Sequence, residues 1–160
     1  MHAAVRRSPG GRAAAVLLSV ALAAAGCSGG DDAVDVQLPE PSAQERAWCA
    51  RLADRLPESL GADLDRRRTD PASPLVTAWG SPAVVLRCGV GNDSGYPVGA
   101  QLLHANSEVV GWWQSRRGND VLWSTPTAPI RVELVVPAKY ESHGGMLATL
   151  SPVIESNGVF

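Results

Sequence analysis

Three cysteines and a small set of polar and aromatic side chains hold whatever chemistry this chain of 160 residues can do. Cys27 closes the segment Ala24-Ala25-Gly26-Cys27, where small residues precede a thiol in the pattern of a bacterial lipobox. In such a segment the sulfur accepts a diacylglyceryl group and the cysteine becomes the mature N-terminus. The position three before the cysteine, most often leucine, is here Ala24, and the nearest leucine is Leu22. Two acyl chains, at about 0.8 kcal/mol per buried methylene, anchor a soluble domain stably where one chain does not. Ordinary secretion, or retention as an uncleaved single-pass signal anchor, are the alternatives.

With Cys27 set aside as the lipid carrier, Cys49 and Cys88 are left as an even pair. In an oxidising compartment they are expected to form one disulfide. A metal-binding or catalytic thiol is not expected, because there is no Cys-x-x-Cys and the histidines His104 and His143 stand apart from both cysteines. Glu133, Tyr140, Glu141 and His143 are residue types that move protons. No Gly-x-Ser-x-Gly elbow, Ser-x-x-Lys, His-Glu-x-x-His or phosphate-cradling glycine loop accompanies them. No catalytic residue, metal site or cofactor is therefore assigned.

Binding chemistry is better represented. Arg87 lies inside an apolar, β-branched run, and if buried it must find carbonyls or a carboxylate. Trp112 and Trp113 are adjacent on an expected strand and so point to opposite faces. An exposed one, with Trp123 across the hairpin, would form a stacking surface for a sugar ring or a patch for a partner protein. Arg87, Trp112 and Trp113 are thus the candidate ligand-binding residues. Arg66-Arg67-Arg68 could hold a phosphate or a polymer carboxylate. Pairing with Asp63, Asp65 and Asp70 nearby is the simpler expectation, and those carboxylates lack the ligand spacing of a calcium loop.

The elements that must position these residues follow from pattern. Arg6, Arg7 and Arg12 precede an uncharged run from Ala13 to Ala25, the anatomy of a signal peptide. That run is shorter than the roughly 20 residues a membrane-spanning helix needs. The expected organisation is a signal peptide over 1–26, a lipidated cysteine with a flexible tether over 27–41, and one domain over 42–160. The tether expectation rests on turn formers from Ser28 to Asp32 and on Pro39 and Pro41. Beyond residue 26 there are 11 basic and 16 acidic side chains, a formal charge of −5. Such a balance offers no attraction to nucleic acid.

Within the domain, Ser42 and Glu45 make a capping box, and Ala47, Trp48, Cys49, Leu52, Leu56 and Leu60 recur near helical spacing up to Pro57. Strands are expected over Ala83–Val90, Leu102–His104, Val109–Ser115, Val121–Thr125 and Ile130–Val136, with a hairpin turn at Arg117-Gly118-Asn119-Asp120. Met146, Leu147, Leu150 and Ile154 suggest a closing helix despite Pro152. The fold class is α+β, a single small domain. It has a mostly antiparallel sheet of about four to five strands, an N-terminal and a C-terminal helix packed on it, and one disulfide.

Cys49 with Leu52 and Leu56-Pro57, then Arg67, Thr69 and Pro71, TAWGSPAVVLRCGV from Thr77 to Val90, Trp112-Trp113, and VELVVPAKY from Val132 to Tyr140 together resemble the DUF3515 family of actinobacterial exported proteins. The likeness runs from about Trp48 to Ile154. It implies an envelope address and supports the Cys49–Cys88 pairing. The family is named for its unknown function and supplies no catalytic residues. The expected function is a cell-envelope lipoprotein on the outer face of the cytoplasmic membrane, most simply a non-catalytic binding module. Its expected partners are the membrane, through the lipid, and an envelope protein or glycan, with no nucleic acid. A small hydrolase-like envelope enzyme is the alternative.

Overall fold

The computed structural model describes residues 32–91 and 95–158, so the expected signal peptide and Cys27 lie outside the described residues. In chain order the elements are β1 Val34–Asp35, α1 Ala43–Ala53, β2 Arg66–Arg67, β3 Thr69–Asp70, β4 Val76–Trp79, β5 Val84–Cys88, β6 Leu103–His104, β7 Gly111–Arg117, β8 Asp120–Ser124, β9 Val132–Val136 and α2 Gly144–Ser156. Seven strands form one sheet in the order β2-β4-β5-β9-β8-β7-β6, and every pairing in it is antiparallel. The expected strands account for five of the seven. The additions are β4 and the two-residue β2 at the edge.

Local chemistry explains the elements. The Ser42 hydroxyl accepts from the Glu45 amide at 3.3 Å while the Glu45 carboxylate accepts from the Ser42 amide at 2.8 Å, which starts α1. The β7–β8 hairpin closes through Arg117 opposite Asp120, with Gly118 at φ +60 in the turn. Pro152 sits inside α2 and has no N–H for the carbonyl of Ala148. The Asn106 side-chain amide donates to that carbonyl instead, at 3.3 Å.

Both helices pack on one face of the sheet. Trp79, Val84, Leu86, Cys88, Trp112, Val121, Trp123, Val132, Leu134 and Val136 share a core with Trp48, Cys49 and Leu52 of α1 and Met146, Leu147, Leu150 and Ile154 of α2. The Cys49–Cys88 disulfide joins α1 to β5. The Trp112 indole N–H donates to Ser151 of α2 at 2.9 Å, and the Trp48 indole N–H donates to the Gly158 carbonyl at 2.6 Å. Helices and sheet are thus tied by covalent and polar links as well as by apolar contact.

Residues 32–41, expected as part of a flexible tether, are instead laid along the domain. Val34 and Asp35 pair in parallel with Thr69 and Asp70, and Pro39 and Pro41 are buried. The amides of Val34 and Val36 donate to the carbonyls of Arg68 and Asp70 at 2.8 and 3.0 Å. A Cβ on Gly89 would meet Pro41 at 2.6 Å, so only glycine lets this segment approach the end of β5.

Candidate functional site

The side chains that packing does not explain lie on the opposite face of the sheet. Strand register places them in one row. Trp113 of β7 is opposite Ser124 of β8, Ser124 is opposite Glu133 of β9, and Glu133 is opposite Arg87 of β5. The adjacent row, Ser115, Leu122, Val135 and Val85, has the same parity and is mostly apolar. Among the described residues, the segments around Tyr96 and Pro39–Pro41 border this face and cover it in part.

Glu133 is the centre of the row and is 8 % exposed. One carboxylate oxygen accepts from Arg87 Nη1 at 3.0 Å and the other from Arg117 Nη2 at 3.4 Å. Burial of a carboxylate is tolerated because two guanidinium groups compensate it. Two polar atoms here stay unmatched: Arg87 Nε and Ser124 Oγ are buried without a hydrogen-bond partner among the described residues. Two clefts open beside the row, of about 390 and 210 Å³, and both are lined by Glu133 and Arg117. Arg87 lines the larger and Ser124 the smaller.

The candidates expected from the sequence separate accordingly. Arg87 does find a carboxylate. Trp113 is half-buried and meets the Tyr96 ring edge-on, with centroids 5.9 Å apart. Trp112 is a correction: it is 1 % exposed and belongs to the helix-side core, so it has no ligand to meet. Trp123 pairs with Gln114 on that same side, so no two-tryptophan platform with Trp113 forms. Arg66 reaches the carbonyls of Ala53 and Leu56 and the Glu58 carboxylate, and Arg67 reaches the carbonyls of Gly80 and Asp32. Both arginines act as clamps on the chain.

Of the acid-base set, Tyr140, Glu141 and His143 line one cleft of about 450 Å³ on the helix side, while Glu133 lies apart from them. His143 accepts from the Trp123 indole N–H at Nδ1, 3.0 Å, and its Nε2 lies 2.8 Å from the Tyr140 carbonyl, which fixes the proton on Nε2. Both ring nitrogens are thereby used in structure. The Tyr140 hydroxyl donates to the Pro82 carbonyl at 2.8 Å, and Glu133 lies on the other face of the sheet. Lys139 also donates to the Ser81 carbonyl at 2.9 Å, so the VELVVPAKY segment latches the turn of the Trp-Gly-x-Pro segment. Among the described residues no group of three or more His, Cys, Asp or Glu side chains could hold a metal ion. No described helix is long and apolar enough to cross a membrane.

Sequence reasoning missed Ser124 and the Arg87–Glu133–Arg117 cluster. The alternation from Ile130 to Val136 did put Glu133 on the side away from Val132 and Leu134, but its partners depend on strand order. What the row can do is donate and accept hydrogen bonds on a partly covered, shallow surface. The model of the DUF3515 family, described as a protein of unknown function, matches residues 12–158. No curated protein and no solved structure matches the chain.

Proposed function

The chain belongs to the DUF3515 family, and from that premise we propose that it is a cell-envelope lipoprotein whose domain is a non-catalytic binding module. In this reading the lipid on Cys27 holds it on the outer face of the cytoplasmic membrane, and an envelope protein or glycan is bound on the open face of the sheet. The observation that carries the binding role is the Trp113–Ser124–Glu133–Arg87 row, which is polar, partly covered and unneeded by the core. The address is supported by the apolar run and Cys27, which fall within the family match, and by the disulfide, a bond that persists where thiols are not kept reduced.

The docked segment makes the anchor short. In a mature chain that starts at the lipidated cysteine, Cys27 to Asp31 precede Asp32, and five residues span at most about 17 Å when fully extended. A domain held that way works beside the headgroups and reaches only what lies near the membrane.

Two measurements on the full chain in its own cell test this. Intact mass of the membrane-extracted protein should show an N-terminal Cys27 bearing a diacylglyceryl group, and Cys27→Ala should move the protein out of the membrane fraction. A mature chain that starts after Cys27 and carries no lipid would overturn the anchor. Crosslinking of the anchored chain should recover an envelope component, and recovery of none would overturn the binding module.

A further inference from the structure

We propose that the cleft of about 210 Å³ between Ser124, Glu133 and Arg117 is a glycan site that takes one neutral sugar ring by two neighbouring hydroxyls. The inference rests on the binding-module reading above and names its ligand. It begins with Ser124, which is 3 % exposed, lines the cleft and has a hydroxyl without a partner among the described residues. A strand position that served packing alone would be better filled by alanine or valine, because a buried hydroxyl without a partner is a cost. The oxygen is closed to solvent in this conformation, so a ligand bonds it by way of a Ser124 rotamer change, and that bond removes the cost.

Glu133 and Arg117 define what the ligand must present. Each carboxylate oxygen of Glu133 has accepted one bond from an arginine, and a carboxylate has about four acceptor positions in all. Arg117 has spent one Nη2 contact, and its side chain is 61 % exposed, so it keeps donors for a ligand. An acceptor next to a donor matches a vicinal diol, where one hydroxyl donates to the carboxylate and its neighbour accepts from the guanidinium. Arg116 also lines the cleft and Glu133 is already compensated by two arginines, so it is the paired acceptor and donor, and not net charge, that select a neutral diol. Leu122, 6 % exposed, supplies an apolar wall for the C–H face of a ring. The larger cleft shares Glu133 and Arg117, so a following sugar has room and the site suits an internal unit of a polymer.

The test titrates the full mature chain with neutral glucose and N-acetylhexosamine tetramers, followed by calorimetry and by the fluorescence of the half-buried Trp113. Competitors are a uronate tetramer, inorganic phosphate and a carboxamide-bearing peptide. A neutral tetramer should bind, and Ser124→Ala should weaken it about fivefold to tenfold, the worth of one hydrogen bond, with an unchanged or raised Tm. Because that variant deletes only an unpartnered atom, loss of binding cannot be assigned to unfolding. The proposal is overturned if no neutral tetramer binds the folded chain, if Ser124→Ala binds like the parent, or if phosphate, uronate or the peptide binds in preference. A chain that fails with sugars but still crosslinks to an envelope protein would remove the glycan and leave the binding module standing.

Discussion

The two faces of the sheet are built from the same strands and serve different ends. On the helix side, the large polar-tipped side chains are matched: Trp112 finds Ser151, Trp123 finds His143, and Trp79 finds the Pro57 carbonyl. Asn157, at the end of α2, leaves its Oδ1 unpartnered but donates its amide to the Trp48 carbonyl at 3.1 Å. On the open side, Glu133 is buried against two arginines while Arg87 Nε and Ser124 Oγ go without partners among the described residues. Period-two alternation makes this division possible, since each strand sends successive residues to opposite faces. A face optimised for stability satisfies most of its polar atoms, and a strand row that leaves them unsatisfied points to a demand other than stability.

The largest test of the contrast uses the adjacent tryptophans. Trp112→Ala should cost about 4 kcal/mol, because it empties a closed core position, whereas Trp113→Ala at the half-buried position should cost about 1–2 kcal/mol. Denaturant midpoints of the two variants measure the gap, and equal losses would erase the distinction between the faces. Next in size is the disulfide. Its cysteines are 39 residues apart, and replacing both with alanine should cost about 4 kcal/mol in the chain-entropy model, less if the unfolded chain keeps structure. Sugar binding by the still-folded fraction should persist, because the bond lies on the helix side.

How legible this division was in the sequence depends on the range of the interaction that creates it. Ser42 with Glu45, the Gly118-Asn119 turn and the alternation through Val132, Leu134 and Val136 are local signals, and each became the element expected. The opposite directions of Trp112 and Trp113 were also legible, but which of them met the core was not, because that depends on α2 arriving from the far end of the chain. β4 was missed for a different reason: Val76 to Trp79 is buried at every position, so it shows no alternation. β1, β2 and β3 are two-residue strands held by backbone hydrogen bonds, and two residues cannot show a period. Nothing local therefore opposed the tether expectation for 32–41 that its turn formers suggest. In the candidate site, Arg87 announced its need for a carboxylate. Its partner, and the meeting of Ser124 with Glu133, required a strand order in which β9 inserts between β5 and β8.

A smaller effect is expected where the two faces meet at the start of α1. Glu45 lines the larger cleft beside Glu133 and also closes the capping box. Its carboxyl is held below the usual carboxylate range, chiefly by the Ser42 side-chain hydrogen bond and then by the Ser42 backbone, with Arg131 assisting and burial opposing. A carboxyl depressed in the folded state adds stability above its unfolded value, and that stability disappears as pH falls through the folded value. Ser42→Ala should therefore cost about 1 kcal/mol at pH 7, and the gap from the parent should narrow as the pH is lowered through the carboxylate range. Chemical denaturation at pH 7 and pH 3 checks the sign, and a gap that widens in acid would refute it.

The smallest single effect, that of Ser124→Ala, is the most discriminating when it is set against the same residue type in other surroundings. Ser151 is fully buried on the helix side, donates to the Leu147 carbonyl at 2.7 Å and accepts from Trp112. Ser124 is buried on the open side and does neither. Ser151→Ala leaves the Trp112 indole N–H without its acceptor and should cost about 1–3 kcal/mol. Ser124→Ala orphans nothing, so thermal unfolding should show a change near zero or a slight gain. If Ser124→Ala were as damaging as Ser151→Ala, its hydroxyl would be structural and the contrast between the faces would fail at its most specific point. A neutral Ser124→Ala would mean that this hydroxyl contributes nothing to the free fold, which is what the proposed glycan site requires.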